Sequence, residues 1–260
     1  DTEVLLHAVS IWGFETAIKR FNGMFAIALW DREERRLYLV RDRLGIKPLY
    51  YGKFGEVILF GSELKALKAH PAFIGQIDRS ALTLFLRHNY IPTPYCIYDG
   101  INKLPPGMYL IIEPDGSIGE PISYWTARNA AESGAANPFE GTDGEAVDAL
   151  DHLLKESVRL RMIADVPLGA FLSGGVDSST VVSLMQSQSS RPVKTFSIGF
   201  WEQEYDEAQY AKAVAAHLGT EHTELYITPQ TALDVIPRLP QLYDEPFSDS
   251  SQIPTFLVAQ

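Results

Sequence analysis

The chain has 260 residues, 46% of them hydrophobic, which is room for about two ordinary domains. A formal net charge of −11 without any cluster of Lys and Arg argues against a nucleic-acid-binding surface and leaves phosphate or metal chemistry open in a local pocket. The single cysteine, Cys96, excludes a disulfide framework and fits a reducing, cytoplasmic setting, and no apolar run approaches the roughly 18 residues that a membrane span needs.

No signal peptide and no initiator methionine are present, and the chain reads as a piece of something longer at both ends. Val4, Leu5, Ala8, Val9 and Trp12 fall at helical spacing within residues 4–20. Met24 to Trp30 and Leu37 to Val40 flank the charged turn 31–36, which predicts a hairpin of two largely buried strands. Short strands are expected around Leu49 to Tyr51 and Val57 to Phe60. Ser62 and Glu63 should open a short helix through Ala69, and Asp78 should cap another that carries Leu82, Phe85 and Leu86. Pro92, Pro94, Pro105 and Pro106 then mark an extended stretch with little regular structure.

Residues 126–144 are rich in Ala, Ser, Gly and Asn and predict a flexible linker or surface loop. Thr142 and Glu145 form a capping box for a helix that should bury Val147, Leu150, Leu154 and Val158. Strands at 166–172, 194–199 and 223–227 alternate with helices at 176–188, 205–218 and 231–239, the second helix ended by Gly219. That alternation predicts βαβ units on a parallel sheet, with a ligand at the carboxyl ends of the strands.

Ser173 falls at such an end, in Phe171-Leu172-Ser173-Gly174-Gly175-Val176-Asp177-Ser178-Ser179. A buried strand, two glycines and a helix start are a device for holding an anion: glycines admit phosphate oxygens to backbone N–H groups, and the helix N-terminus adds partial positive charge. Ser173, Ser178 and Ser179 add hydroxyl donors, and the carboxylate of Asp177 suits such a place when Mg2+ sits between it and phosphate. No lysine follows the glycines, so this is not the loop of kinases and ATPases. The bland alternative is a strand–turn–helix junction in which Asp177 steadies the helix start. The pattern Ser-Gly-Gly-x-Asp-Ser-Ser resembles the pyrophosphate loop of the N-type ATP pyrophosphatases, which cleave ATP between the α- and β-phosphates.

Other stretches carry a wider resemblance. Phe21-Asn22-Gly23-Met24-Phe25-Ala26, Arg41-Asp42-Arg43-Leu44-Gly45-Ile46-Lys47-Pro48-Leu49-Tyr50-Tyr51 and Phe60-Gly61-Ser62-Glu63-Leu64-Lys65-Ala66 are similar to the class II glutaminase domain of glutamine-hydrolysing asparagine synthetases. Asp165-Val166-Pro167, the 172–179 loop, Phe196-Ser197-Ile198-Gly199 and Asp244-Glu245-Pro246-Phe247-x-Asp249-Ser250-Ser251 are similar to their synthetase domain. The resemblance implies an α+β part followed by an α/β part. Residues 1–125 would be the C-terminal portion of an N-terminal-nucleophile αββα sandwich, 126–144 the linker, and 145–260 the first half of a doubly wound ATP pyrophosphatase domain.

It also implies roles. Leu172 and Ile198 would flank adenine and ribose, Ser173, Gly174, Gly175 and Ser178 would hold the β,γ-pyrophosphate, and Asp177 would meet Mg2+. Asp1 would bind the α-amino group of glutamine, an ammonium needing an anionic acceptor. Asp244, Glu245, Asp249, Ser250 and Ser251 either line the acceptor or metal site, or Pro246 ends one element and Ser250 caps the next helix. Arg41, Arg43 and Lys47 either line an internal ammonia passage or form ion pairs with Asp42 and Asp31. His217 and His222 lack metal-ligand spacing and read as a helix end and a strand lead-in. The partners implied are ATP, aspartate and glutamine, with a homodimer left open and neither nucleic acid nor membrane expected.

One departure matters most. The family's glutaminase nucleophile is an N-terminal cysteine, and residue 1 here is Asp, while Cys96 is internal and lacks the free amine that acts as base. A later Ser-Gly-x-Gly-x-Asp-Glu motif and a catalytic lysine are also expected beyond residue 260. No catalytic residue is therefore expected within the 260 residues, which by themselves should be inactive. Three further readings stay open: amidation of another carboxylate such as a sugar or peptide, a decayed ATP-binding paralogue, and a tRNA-modifying pyrophosphatase, the last at odds with the acidic composition.

Overall fold

The computed structural model describes residues 1–200 and 207–259, with Phe200 described by its backbone alone. The chain divides into two compact units, Asp1–Pro138 with Pro240–Ser248, and Phe139–Leu239 with Asp249–Gln260.

In the first unit the helical stretch at the start is two helices, α1 (Thr2–Trp12) and α2 (Phe14–Arg20). Gly13 takes φ 74° between them, a left-handed conformation that breaks the continuous helix expected over 4–20. Strands β1 (Ala26–Asp31) and β2 (Arg36–Arg41) form the expected antiparallel hairpin, joined by a turn in which Asp31 Oδ1 accepts from the N–H groups of Glu33 and Glu34 at 2.9 and 3.0 Å. The hairpin is less buried than its apolar run implied, with Trp30 52% exposed. Next come β3 (Tyr50–Phe54), β4 (Val57–Gly61), α3 (Leu64–Lys68) and α4 (Arg79–His88). The proline-rich stretch holds β5 (Ile101–Lys103), followed by β6 (Met108–Ile112) and β7 (Ile122–Ser123), none of which the sequence pattern revealed. Residues expected as linker or loop instead form an exposed helix, α5 (Ala127–Ala136), started by Thr126 Oγ1 accepting from Asn129 N–H at 3.0 Å.

Two antiparallel sheets result, ordered β1-β2-β6-β7 and β4-β3-β5. Side-chain alternation sorts neighbouring residues into different cores. Val40 and Tyr109 join Ile18 and Phe14 of α2, whereas Leu39 and Leu110 join Tyr51 of the other sheet. Tyr50 faces the opposite way, into a core with Leu64 and Leu67 of α3 and Ala81 of α4. The layers are thus helix, sheet, sheet, helix. The Arg41–Lys47 turn is fixed by Asp42, 1% exposed, which accepts from the N–H groups of Phe25, Leu44, Ile46 and Lys47. Arg41 donates to the carbonyls of Gly45, Lys47 and Leu104, and Arg43 to that of Lys19. The ion pairs weighed for these arginines are replaced by backbone contacts.

The second unit opens with α6 (Asp143–Arg161), whose capping box forms as expected, Thr142 Oγ1 accepting from Glu145 N–H while Glu145 accepts from Thr142 N–H at 2.8 Å. Of the stripe expected to be buried, Val147 and Leu150 are 65% and 56% exposed and Leu154 is 37% exposed, while Val158, toward the end of the helix, is partly buried. Then follow β8 (Gly169–Phe171), α7 (Val176–Ser187), β9 (Lys194–Phe200), α8 (Ala208–Leu218), β10 (Glu221–Ile227) and α9 (Pro229–Val235). The first residues expected in the 205–218 helix, Tyr205 and Asp206, lie outside the described ones. After α9, Pro237 lacks the N–H that α-helical bonding needs, and Ile236–Arg238 tighten into a 3-10 turn before α10 (Leu239–Leu242) and α11 (Gln252–Val258).

The sheet order is β10-β9-β8, with both pairings parallel, as the alternation predicts. Leu172 packs with Val182 of α7 and Ala211 and Ala215 of α8. The 166–172 run is not the fully buried strand expected: β8 is short, lies at the edge of this sheet, and leaves Phe171 57% exposed, whereas Leu172 is 2% exposed.

Candidate functional site

The chain leaves β8 at Phe171, and Ser173 lies just past the carboxyl end of that strand. Gly174 turns with φ 79°, and a Cβ there would come within 2.6 Å of Tyr210 Cβ and 2.7 Å of the Ala211 nitrogen. Only glycine fits. Gly175 is the N-cap of α7 and offers no side-chain cap, which leaves the helix's leading N–H groups to other partners. The two serines tie the loop into a ring. Ser173 Oγ and Ser178 Oγ lie 2.9 Å apart, Ser173 N–H donates to Ser178 Oγ at 3.2 Å, and Gly175 N–H donates to Ser173 Oγ at 3.3 Å. Asp177 is exposed in the first turn of α7, where a carboxylate is favoured by the helix dipole.

A cavity of about 370 Å³ borders the loop. Leu172, Ser173 and Ser178 line one side, Phe196, Ser197 and Ile198 of β9 another, and Glu207 with Ser251, Pro254, Thr255 and Val258 complete it. The cavity therefore brings together four of the expected nucleotide residues, Leu172, Ser173, Ser178 and Ile198, with Gly174, Gly175 and Asp177 on the adjoining loop. Ser179 is not part of it. Its hydroxyl is buried without a partner, and the residue lines a groove with Thr180, Ser183 and His217.

Glu207, Pro254, Thr255 and Val258 line the cavity without having been expected there, whereas Phe196 and Ser251 lie in stretches that carry the resemblance. Ser251, Pro254, Thr255 and Val258 stand at i, i+3, i+4 and i+7, one face of a helix, which is a legible signal. What that face meets is not written in the spacing. Ser197 lies in the same Phe196-Ser197-Ile198-Gly199 stretch. Its hydroxyl lies 3.2 Å from His222 Nε2, and His222 Nδ1 lies 2.9 Å from Thr195 Oγ1. Burial holds the His222 imidazole below its ordinary pKa, with Lys212 acting in the same sense and Glu224 opposing.

The polar residues expected at the acceptor site divide. Asp249 and Ser250 lead into α11 in the second unit, Asp249 Oδ1 accepting from Ser251 N–H at 2.8 Å. Asp244 and Glu245 are committed within the first unit. Asp244 accepts from the N–H groups of Leu64 and Lys65 at 2.7 and 3.2 Å, supplying the cap that Glu63 does not give α3. Glu245 pairs with Lys103 Nζ, both side chains nearly buried, and accepts from Ile97 N–H at 2.8 Å. These residues line a first-unit cleft of about 370 Å³ with Tyr50, Lys65 and Tyr90.

Asp1 is exposed at the N-cap of α1, and its side chain caps nothing. Cys96 is 1% exposed, and burial pushes its thiol pKa up to about 12, so it carries no thiolate near neutrality. Among the described residues no three His, Cys, Asp or Glu side chains cluster as a metal site, and no helix is long and apolar enough to cross a membrane.

Comparison with known proteins agrees with both halves. Residues 1–125 match the glutamine amidotransferase domain family and residues 149–260 the asparagine synthase family. A putative glutamine-hydrolysing asparagine synthetase 2 of Methanocaldococcus jannaschii is 37% identical, across 100% of this chain and 49% of that protein. Glutamine-hydrolysing asparagine synthetase 1 of Bacillus subtilis is 35% identical, across 100% of this chain and 39% of that protein. The corresponding Bos taurus enzyme is 26% identical, across 91% of this chain and 41% of its own length. The chain thus spans less than half the length of these relatives. It joins a glutamine amidotransferase domain to an asparagine synthase domain and belongs to the family of the glutamine-hydrolysing asparagine synthetases.

Proposed function

We propose that this chain is part of a glutamine-hydrolysing asparagine synthetase, converting ATP, aspartate and glutamine to asparagine, AMP, diphosphate and glutamate. The observation that carries the reading is the Ser173–Ser178 ring, set at the end of a parallel strand and opening on a cavity walled by Leu172 and Ile198. In the reaction, an oxygen of the aspartate β-carboxylate attacks the α-phosphorus of ATP, and the bond to the β-phosphate oxygen breaks. Diphosphate leaves and β-aspartyl-AMP forms. Ammonia from glutamine then attacks the acyl carbon, and the bond to AMP breaks to give asparagine. Donors aimed where charge develops on the departing diphosphate are the term expected to dominate, and the 173–178 loop offers hydroxyls and N–H groups there.

Mg2+ fits this donor set. It is commonly held by one or two carboxylates plus substrate phosphates, and Asp177 is an exposed carboxylate on the loop's helix. Bound there, the ion would supply charge neutralisation for the phosphates. Asp249 and Ser250 are proposed to face the acceptor, and Asp1 the glutamine ammonium. The proposed domains are 1–125, the class II glutaminase portion, 126–144, a connecting segment, and 145–260, the ATP pyrophosphatase portion. The helix–sheet–sheet–helix layering of the first unit and the parallel sheet of the second support an N-terminal-nucleophile sandwich and a doubly wound half-sheet. A cytoplasmic homodimer completes the proposal.

The test is release of AMP and diphosphate by the reading frame that contains this chain, with Mg-ATP and glutamine, with and without aspartate. Aspartate-dependent AMP matched by asparagine supports the proposal. Glutamine hydrolysis without aspartate-stimulated AMP points to another acceptor carboxylate. No ATP turnover with any acceptor overturns it.

A further inference from the structure

One polar chain beside the cavity has no part in the assignment above. Thr195 and Ser197 are two residues apart on β9, so their side chains share a face of the sheet. Thr195 is fully buried and Ser197 is 6% exposed. His222 of β10 stands in register opposite Thr195, and its ring spans both hydroxyls, Nδ1 to Thr195 Oγ1 at 2.9 Å and Nε2 to Ser197 Oγ at 3.2 Å. Thr195 Oγ1 lies 2.9 Å from Thr220 Oγ1, which extends the chain away from the cavity. Of these four groups only Ser197 lines the cavity.

A neutral imidazole has one donor and one acceptor nitrogen, so its tautomer decides whether Ser197 donates to the ring or accepts from it. A charged imidazolium donates from both nitrogens. Ser197 Oγ must then accept from Nε2, and its own proton is released toward the cavity. The hydroxyl becomes a donor to whatever ligand atom lies there. The charged groups that act on the ring are the Glu224 carboxylate on the same strand and the Lys212 ammonium of α8, paired with each other at 3.0 Å. Thr195, Ser197 and Thr220 supply only hydroxyls.

We propose that His222 is a positioning residue for the nucleotide cavity, setting through the Ser197 hydroxyl whether that wall donates to or accepts from the bound nucleotide. This rests on the ATP reading of the cavity. An acceptor atom of the nucleotide at Ser197 binds more tightly when His222 is charged, and by linkage nucleotide binding draws a proton onto His222.

The experiment is calorimetric titration of the chain with Mg-ATP at pH 8.0 and pH 6.0, for the wild type, His222→Gln and Ser197→Ala. ATP's own ionisation is common to all three and cancels in the comparison. We expect the wild type to gain affinity at the lower pH, relative to either variant, by on the order of 3- to 10-fold, the worth of one hydrogen bond. Imidazole NMR titration of the wild type, which needs no variant to fold, should show the His222 pKa rising when Mg-ATP is added. Equal pH dependence in all three proteins, with an unmoved His222 pKa, overturns the relay and leaves the ATP reading intact. Absence of ATP binding by the wild type at either pH overturns both.

Discussion

At the scale of single residues, the site depends on groups whose replacement leaves nothing to take their place. Gly174 combines φ 79° with no space for a Cβ. Gly174→Ala is expected to cost about 1–3 kcal/mol in strain and to weaken nucleotide binding as the loop shifts. Denaturant unfolding and ATP titration check the two effects separately. Lys103 and Glu245 form an ion pair with side chains 13% and 11% exposed. Lys103→Met strands the Glu245 carboxylate, and a loss of about 3–5 kcal/mol is the usual result of breaking such a pair. The double variant Lys103→Met with Glu245→Leu should recover part of that loss, which a double-mutant cycle measures.

At the scale of elements, the α6 stripe is the largest difference between sequence and structure. Val147 and Leu150 stand 65% and 56% exposed in a pattern that reads as core-facing. Replacing both by Lys is expected to change stability by no more than about 0.5 kcal/mol each and to lower the binding of a hydrophobic dye such as ANS. A large loss of stability would show that the face is covered after all. The elements built from local rules were legible: the 26–41 hairpin, the Asp78 cap with 2.7 Å to Ser80 N–H, the Thr142 capping box, and the parallel alternation from β8 to β10. Elements defined by distant partners were not. The β5 strand exists because it pairs with β3, and α3 starts where Asp244, 180 residues away, accepts from Leu64 N–H. The candidate site divides the same way. Ser173 to Ser178 announce themselves as a contiguous pattern, whereas Glu207, Pro254 and Val258 reach the cavity only through the fold.

At the scale of the whole molecule, buried titratable groups set how stability depends on pH. Burial, followed by the Asp42 carboxylate, raises the Tyr124 pKa to about 12, and its hydroxyl donates to the Arg41 carbonyl at 2.8 Å. Burial and the Glu15 carboxylate raise Tyr109 to about 12 as well. In the unfolded chain these phenols ionise first, near their ordinary value of 10. Their contribution is therefore fully present below that value and is lost as the pH climbs toward 12. Urea midpoints should fall across this interval, and Tyr124→Phe should flatten the fall. His222 works at the other end: its lowered pKa gives stability that is present above the ordinary histidine value of 6.5 and lost on acidification.

All of the functional reading converges on one loop, so the most direct measurement is equilibrium binding of Mg-ATP to the wild type and to the Ser173→Ala, Ser178→Ala double variant, with unfolding curves for both. The wild type should bind, and the double variant should lose about 5- to 150-fold in affinity, from two hydroxyl partners at roughly 0.5–1.5 kcal/mol each, while its fold is kept. Equal affinity in the two proteins would contradict the assignment of the 173–178 loop as the phosphate site.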